Sequence, residues 1–548
     1  MAKSMALNQA AGLQGMLKDG HKTFEGVQGA VLKNIEAAHG LAGMVRTSLG
    51  PNGMNKLVVN HLEKIIVTSD CATIVRELEV QHPAAKILCM AAEMQEQEYG
   101  DNTNFCLSFA GELLKLAEDL LRNGLHTAEI VSGYKRAYDK ALEILPSLVV
   151  KKVENVRDEA EVGAAIKAVM ATKVNGYEDL LTELVVKTCL TTLSPTAKNP
   201  KLNIDSVRIA KLPGGTIDKS SFVKGMVILR DAEGIVKSAK DAKVQVLGCG
   251  LESTATEAKG TVLIKNAEEL LTYNRSEERK MEEVVEGIAA SGINVVIAHG
   301  SISEMAQHFC DKFGLMVVKC QSKFDLRRIC LATGATACVR MGPCTPEEMG
   351  FCSSIEVREI AGRKLIILDQ KLDEDTSVST LVIRASTTNV LNDVERAVDD
   401  GVNAVKTIFT DPRLLPGAGS VELELAKRLK AYADEVQGLD QYAIRKFAEA
   451  FDVVPRTLAE NCGCDPTSSM HALHLSHAAP NSETMGFNIL TNKPGDAVAA
   501  GVYDVYATKI NALRLAVDSA LTVLRVDQIV MSKPAGGPKP RAPGPMDA

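Results

Sequence analysis

Residues 293–320 read INVVIAHGSISEMAQHFCDKFGLMVVKC, two β-branched runs on either side of a stretch with helical spacing. Each apolar run is too short for a helix and carries the Val and Ile enrichment of a strand, so the segment reads as strand, helix, strand. Similar runs precede it: KGMVILR at 224–230, AKVQVLG at 242–248 and GTVLIK at 260–265. Strands alternating with helices argue for an α/β module from about Gly215 to Asp369. The flanks differ. Upstream, Val31, Leu32, Ile35, Ala38, Leu41, Ala42 and Val45 recur at helical spacing, and the apolar face runs to about Arg46. KLVVNHLEKIIVTSD (56–70) reads as a β-hairpin turning between Asn60 and Glu63, with Asp70 placed to cap a helix starting near Ala72. Further helices are expected from Pro83 to Glu98 and from Thr103, the latter along Phe105, Phe109, Leu113, Leu116, Leu120 and Leu121. Helical periodicity returns after about Asn389 and ends in a helix carrying Ile510, Leu513, Ala516, Val517, Ala520, Leu521 and Leu524. The α/β module is therefore inserted into a helical region built from both ends of the chain.

The chain has 548 residues, which at roughly 150 residues per domain suggests three or four domains. Its 46% hydrophobic and 24% charged residues can build sizeable cores. A net charge of -7 argues against a dedicated nucleic-acid binder, and 4% aromatics with no Trp leave little for base-stacking platforms. No apolar stretch reaches the ~18 residues that read as a membrane span, and the N-terminus lacks the layout of a signal peptide. No membrane and no nucleic acid are expected, and the compartment of synthesis is the expected location. Thirteen cysteines, mostly inside apolar runs, read as small buried hydrophobes in a reducing cytosol. Cys462 and Cys464, followed by His471, His474 and His477, invite a zinc reading, but one residue between paired cysteines is short for a structural site. The plainer reading is a helix ending at Asn461-Cys462-Gly463. The tail KPAGGPKPRAPGPMDA is too rich in Pro and Gly to pack.

The chain contains neither GxxxxGK[ST] nor GxGxxG, so no P-loop and no dinucleotide fingerprint is present. Three Gly-containing turns could still hold an anion: Leu49-Gly50-Pro51-Asn52-Gly53, Gly100-Asp101-Asn102-Thr103-Asn104 and Leu415-Pro416-Gly417-Ala418-Gly419-Ser420. The second and third run into expected helices, whose first amides and dipole favour an anion. Nucleotide hydrolysis also needs carboxylates to hold Mg²⁺ and orient a water, and Asp70, Asp101 and Asp400 are candidates. By spacing alone Asp70 and Asp101 read equally as N-caps, and Asp400, in ERAVDDGV, as a solvated helix charge.

The same segments carry a family resemblance. In order, TSLGPNGMNK, TSDCATIVRELEVQHPAAK, GDNTN, ERAVDDGV and LPGAGSVELELA resemble the signature segments of group II chaperonins, and the likeness covers essentially the whole chain. It implies a multidomain chaperonin fold: a mainly helical equatorial domain (1–149 and 408–531), an intermediate hinge domain (150–216 and 370–407), an inserted α/β apical domain with a lid protrusion (217–369) and a flexible tail (532–548). It further implies a cytosolic subunit in two stacked eight-membered rings with seven paralogous partners, folding non-native clients such as actin and tubulin as ATP is hydrolysed.

By position, the resemblance places Leu49, Gly50, Pro51 and Gly53 around ATP or ADP, with Asp101 on Mg²⁺. Asn102, Thr103, Asn104 and Phe105 follow at the phosphates, and Thr172 and Lys173 approach the γ-phosphate. Gly417 and Gly419 let the backbone approach the nucleotide, Asp504 meets the ribose, and Asp70 and Asp400 act on the attacking water. Met305, Phe309, Phe313, Lys323 and Arg327 match the client-facing apical surface, although Phe309 and Phe313 read equally as core. The lid protrusion would run from about Glu252 to Glu283, and the 56–68 hairpin resembles one that pairs with a neighbour's terminal strands. Asn102 stands where the family has Gly, Cys71 where it has Gly or Ala, and Ala385 where Gly is common. Asn tolerates a left-handed backbone best among non-glycine residues, so the turn is expected to survive, with its side chain close to a phosphate. Two other readings follow: a ring subunit that binds nucleotide but barely hydrolyses it, and a metal or thiol enzyme centred on Cys462 and Cys464.

Overall fold

The structure, a computed structural model, describes residues 22–25, 30–60, 62–193, 201–252, 265–370, 377–479 and 482–531. The tail 532–548, most of the GTVLIK run and part of the expected lid segment lie outside them.

The largest core draws on Val31 to Leu148 and on Leu415 to Leu524, so it is assembled from both ends of the chain. Helix Thr103–Arg122 runs through its centre, packed against Leu32–Arg46, Pro83–Tyr99, Asp440–Ala450 and Tyr506–Leu524. The apolar positions Phe105, Phe109, Leu113, Leu120 and Leu121 are all buried, as the helical spacing expects. Phe109 meets Phe451 at 4.6 Å and Phe447 at 5.7 Å between ring centroids, and the Tyr134 hydroxyl donates to the Leu113 carbonyl. Truncating a fully buried Phe of this kind costs about 3–5 kcal/mol, so this cluster is a main tie between the two chain ends.

A second core joins helices Glu159–Ala171, Glu178–Thr191 and Thr388–Thr410 to a three-stranded sheet. There Val207–Pro213 pairs in parallel with Ser379–Ala385, which pairs antiparallel with Ser221–Val223. The chain leaves and re-enters this unit on adjacent strands, a geometry in which the intervening segment hangs as an insertion. Ala385 is buried at the end of its strand, its carbonyl accepting from the Gly214 amide.

The insertion carries a six-stranded mixed sheet in the order 316–320, 295–299, 238–247, 350–360, 363–369, 225–228. Its first three strands are parallel, and Val295–His299, Glu304–Lys312 and Met316–Cys320 form the strand–helix–strand unit read from the sequence. Strands buried on both faces need near-continuous apolar runs, which is why VVIAH and MVVKC lack alternation.

The 56–68 hairpin forms with Lys56–Val59 against Ile65–Thr68 and exposes Leu57, Val59 and Ile65 on one face. The terminal strands Lys22–Glu25 and Gln528–Met531 pair with each other.

Candidate functional site

Three turns converge because helices on different segments start or end at the same place. Helix Leu32–Arg46 ends in the Leu49–Gly53 turn, where Gly50 is left-handed and a Cβ would come within 2.6 Å of Leu458. Asn461 donates to the Leu49 carbonyl at 2.8 Å, so helix Val453–Asn461 floors this turn. Asp70 caps helix Cys71–Glu77 through the Thr73 amide. Gly100 ends one helix with φ 68° and Asn102 starts the next with φ 63°, so Asp101 sits between two left-handed residues. The amides of Thr103, Asn104 and Phe105 head the helix beyond, before its own ladder begins at Cys106.

These turns surround one cavity of about 470 Å³. Leu49, Gly50, Pro51, Asp70, Asp101, Asn102, Thr103, Asn104, Phe105, Thr172, Lys173, Asp400, Gly419 and Asp504 all line it. Gly53 and Gly417 do not line it, and both glycines answer to packing. A Cβ on Gly53 would stand 2.4 Å from the Ser48 carbonyl, and its amide donates to Gly50. The Gly417 amide donates to Val502 at 3.0 Å, and a Cβ there would meet Val502 at 2.8 Å. The Asn104 side chain is also spent elsewhere, donating to Val45 and Ser48 and accepting from Ser108. What Asn104 presents to the cavity is its backbone amide.

Among the polar lining groups, Lys173 Nζ lies 3.0 Å from Asp70 Oδ1 and 2.5 Å from Asp400 Oδ2, and all three side chains are nearly buried. Asp400 comes from helix Thr388–Thr410, which docks by one face: Arg396 donates to Thr68 at 3.1 Å, and Asn403 packs so tightly on Gly100 that a Cβ there would lie 2.2 Å away. Burial pushes the Asp400 carboxyl well above its usual range against the pull of Lys173, with Asp101, Asp70 and Glu96 adding to the rise. Burial works the same way on Asp70, but there Lys173 and the Thr73 hydrogen bonds outweigh it and hold the carboxyl low. Burial opposes the charge on Lys173, and the two carboxylates more than restore it. Desolvation raises Asp101 against the 2.6 Å bond from the Asn102 amide. Glu96 is pushed up to about 7 by burial and by Asp70.

The donor chemistry fits a hard divalent cation beside phosphate. Oxygen ligands outnumber the cations facing them, and Mg²⁺ characteristically takes one or two carboxylates with phosphate oxygens rather than an all-protein cage. Asp101 sits at the helix start to supply one. The lining also includes the apolar side chains of Val454, Leu458, Phe487, Ile489, Ala497 and Val502, which suit a flat heteroaromatic base.

Several lining groups carried no signal that the sequence reading used. Lys509 is buried, ion-paired with Glu422 and with Asp504 at 3.2 Å, and stands 4.2 Å over the Phe105 ring. The hairpin Met485–Asn488 with Lys493–Asp496 also lines the cavity; the Asn492-Lys493-Pro494-Gly495 stretch, at the end of its turn and the start of its second strand, is the signal that could have located it.

Cys462 accepts a hydrogen bond from Asn52 at 3.3 Å, and His477 is buried against Glu424 and the Met485 carbonyl. Among the described residues no three metal-ligating side chains converge, so the cysteine and histidine cluster does not form a centre there. In the inserted unit, Met305, Phe309 and Phe313 are half-buried on its core, with Lys312 Nζ 5.9 Å and 5.6 Å from the two phenyl centroids. Lys323 and Arg327 are exposed on helix Lys323–Thr333 beside Phe324, which is 75% exposed and lies in the same 322–328 segment that the resemblance assigns to the apical surface.

Residues 41–534 match the model of the TCP-1/cpn60 chaperonin family. The chain is 47% identical over 537 residues to the T-complex protein 1 subunit theta of Dictyostelium discoideum, covering 98% of this chain and 99% of that one. It is 48% identical over 540 residues to the Gallus gallus subunit theta and 47% identical over 540 residues to that of Homo sapiens, with 98% of each chain covered in both cases.

Proposed function

The chain belongs to the TCP-1/cpn60 chaperonin family, and from that premise we propose that it is an ATP-hydrolysing subunit of a cytosolic, hetero-oligomeric double-ring chaperonin. Its partners would be seven paralogous subunits and non-native clients, actin and tubulin among them. The domain limits given above are part of this reading, supported by one core drawn from both chain ends and a second that joins the strands flanking the insertion.

The observation that carries the reading is the meeting of Asp70, Lys173 and Asp400 in a cavity that apolar side chains also line. Asp70 stays ionised and holds Lys173, whereas Asp400, with its raised proton affinity, is suited to take the proton of an attacking water. Two carboxylates whose environments push them apart divide the work of base and charge anchor. The amides of Thr103 to Phe105 cradle phosphate at a helix N-terminus. Mg²⁺, held by Asp101, would neutralise phosphate charge. Because Asp400 rides on helix Thr388–Thr410, turnover depends on that helix staying docked on Gly100 and Thr68. The weakly hydrolysing alternative, which rests on Asn102 and Cys71, is not favoured: Asn102 adopts the left-handed conformation that Gly would, and all three carboxylates line the cavity.

Size-resolved fractionation of native cytosol, with mass spectrometry of co-migrating chains, tests the assignment. The expected result is a large particle containing seven related subunits; recovery only as a free monomer would overturn it.

A further inference from the structure

Gln95 is fully buried in helix Pro83–Tyr99, one turn before the Asp101 turn. Its side-chain amide donates to the Asp101 carbonyl at 2.8 Å and to the Thr508 carbonyl at 3.3 Å. Its Oε1 accepts from Asn511 Nδ2 at 2.9 Å, and the same nitrogen reaches Glu98 at 3.1 Å. The orientation admits no flip: two carbonyls demand the NH₂ end, and an Asn511 nitrogen that also serves a carboxylate must be the donor. The Gln95 backbone carbonyl accepts from the Gly100 amide as well. One residue thus fixes the Asp101 turn from both its side chain and its main chain, and ties it to the start of helix Tyr506–Leu524. That helix carries Lys509, the partner of Glu422 and Asp504 across the cavity.

We propose that Gln95 is a positioning residue for the metal–nucleotide site, holding the Asp101 carboxylate in register with the Lys509 side of the cavity. The inference rests on the reading of the cavity as an Mg²⁺–nucleotide site. Groups behind a metal ligand characteristically set metal affinity by about 10–100-fold. The Asp101 carboxylate is oriented locally by the Asn102 amide at 2.6 Å, and Gln95 holds the Asp101 carbonyl of the turn that both belong to. Gln95 is not among the residues lining the cavity, so its effect reaches the site through the Asp101 turn and the start of helix Tyr506–Leu524.

The test uses the full-length chain in the assembly in which it purifies, comparing wild type with Gln95→Met, which keeps the length and packing and removes both donors. Mn²⁺ binding in the presence of a non-hydrolysable ATP analogue is followed by electron paramagnetic resonance, and analogue binding is measured separately in EDTA. The expected result is a Mn²⁺ affinity lowered about tenfold or more, with metal-free analogue affinity changed less than about threefold. Unchanged Mn²⁺ affinity, or an equal loss in both measurements, overturns the proposal. Should Gln95→Met not fold, Asn511→Leu frees Gln95 Oε1 and is expected to lower Mn²⁺ affinity in the same sense by a smaller factor; no change there overturns it equally. If wild type and Asp101→Ala bind Mn²⁺ alike, it is the reading of the cavity that fails, and the Gln95 inference falls with it.

Discussion

Lys173 Nζ and Asp400 Oδ2 lie 2.5 Å apart, joining the end of helix Glu159–Ala171 to the middle of helix Thr388–Thr410. With Asp70 at 3.0 Å on its other side, Lys173 is one buried cation between two buried carboxylates. Removing it is therefore costlier than removing an exposed lysine. Lys173→Met is expected to destabilise the chain by about 3–5 kcal/mol, the cost of leaving buried charge unpaired. A denaturant titration against wild type checks this; a loss below about 1 kcal/mol would mean that the bridge is solvated in solution.

Asp70 has two separable roles, a helix cap and a partner of Lys173. Asn still caps, whereas Ala does not. Asp70→Ala should therefore be less stable than Asp70→Asn by about 1 kcal/mol. Both should lose turnover to a similar extent, because neither retains the charge that holds Lys173. Paired melts and ATPase assays on the two variants read these effects independently.

Asn102 occupies the left-handed region at φ 63° with no side-chain cap bond to its helix. A residue without Asn's tolerance for that region would be strained. Asn102→Ala is expected to cost about 1–2 kcal/mol and Asn102→Gly close to nothing. If Asn102→Gly raised turnover severalfold, the Asn side chain would be crowding the phosphates.

Glu424 gives the pH prediction. Burial would raise its carboxyl, but hydrogen bonds from His477 and Arg428 with nearby Lys427 bring it down to about 2. A carboxyl lowered on folding stabilises the fold above its unfolded value, near 4.5, and that contribution is lost as pH falls toward 2. Glu424→Gln should therefore melt below wild type at pH 7, with the gap closing between about pH 4.5 and 2. A gap independent of pH would show that packing, not charge, sets the difference.

The layout was legible in the sequence where periodicity is strong. Helix Thr103–Arg122 and the strands Val295–His299 and Met316–Cys320 follow from their apolar spacing. The Asp70 cap followed from residue type, and the ordered segments around Asp101 and Asp400 located the cavity. What stayed hidden depends on long-range partners. Gln95 looks like any polar position on an amphipathic helix until Thr508 and Asn511 arrive from the far end of the chain. Lys509 likewise reads as a solvated charge until Glu422 and Asp504 close on it. The resemblance places Gly53 and Gly417 at the nucleotide by position; in the structure a Cβ on them would meet Ser48 and Val502.

The central claim, that Asp400 acts on the water attacking bound ATP, is tested most directly by hydrolysis on this chain alone within its assembly. Labelled ATP is bound, chased, crosslinked to the chain at timed intervals and scored as ATP or ADP. For Asp400→Asn the account predicts nucleotide capture within about threefold of wild type and conversion to ADP slowed about a hundredfold or more. Conversion at the wild-type rate with normal capture would contradict it.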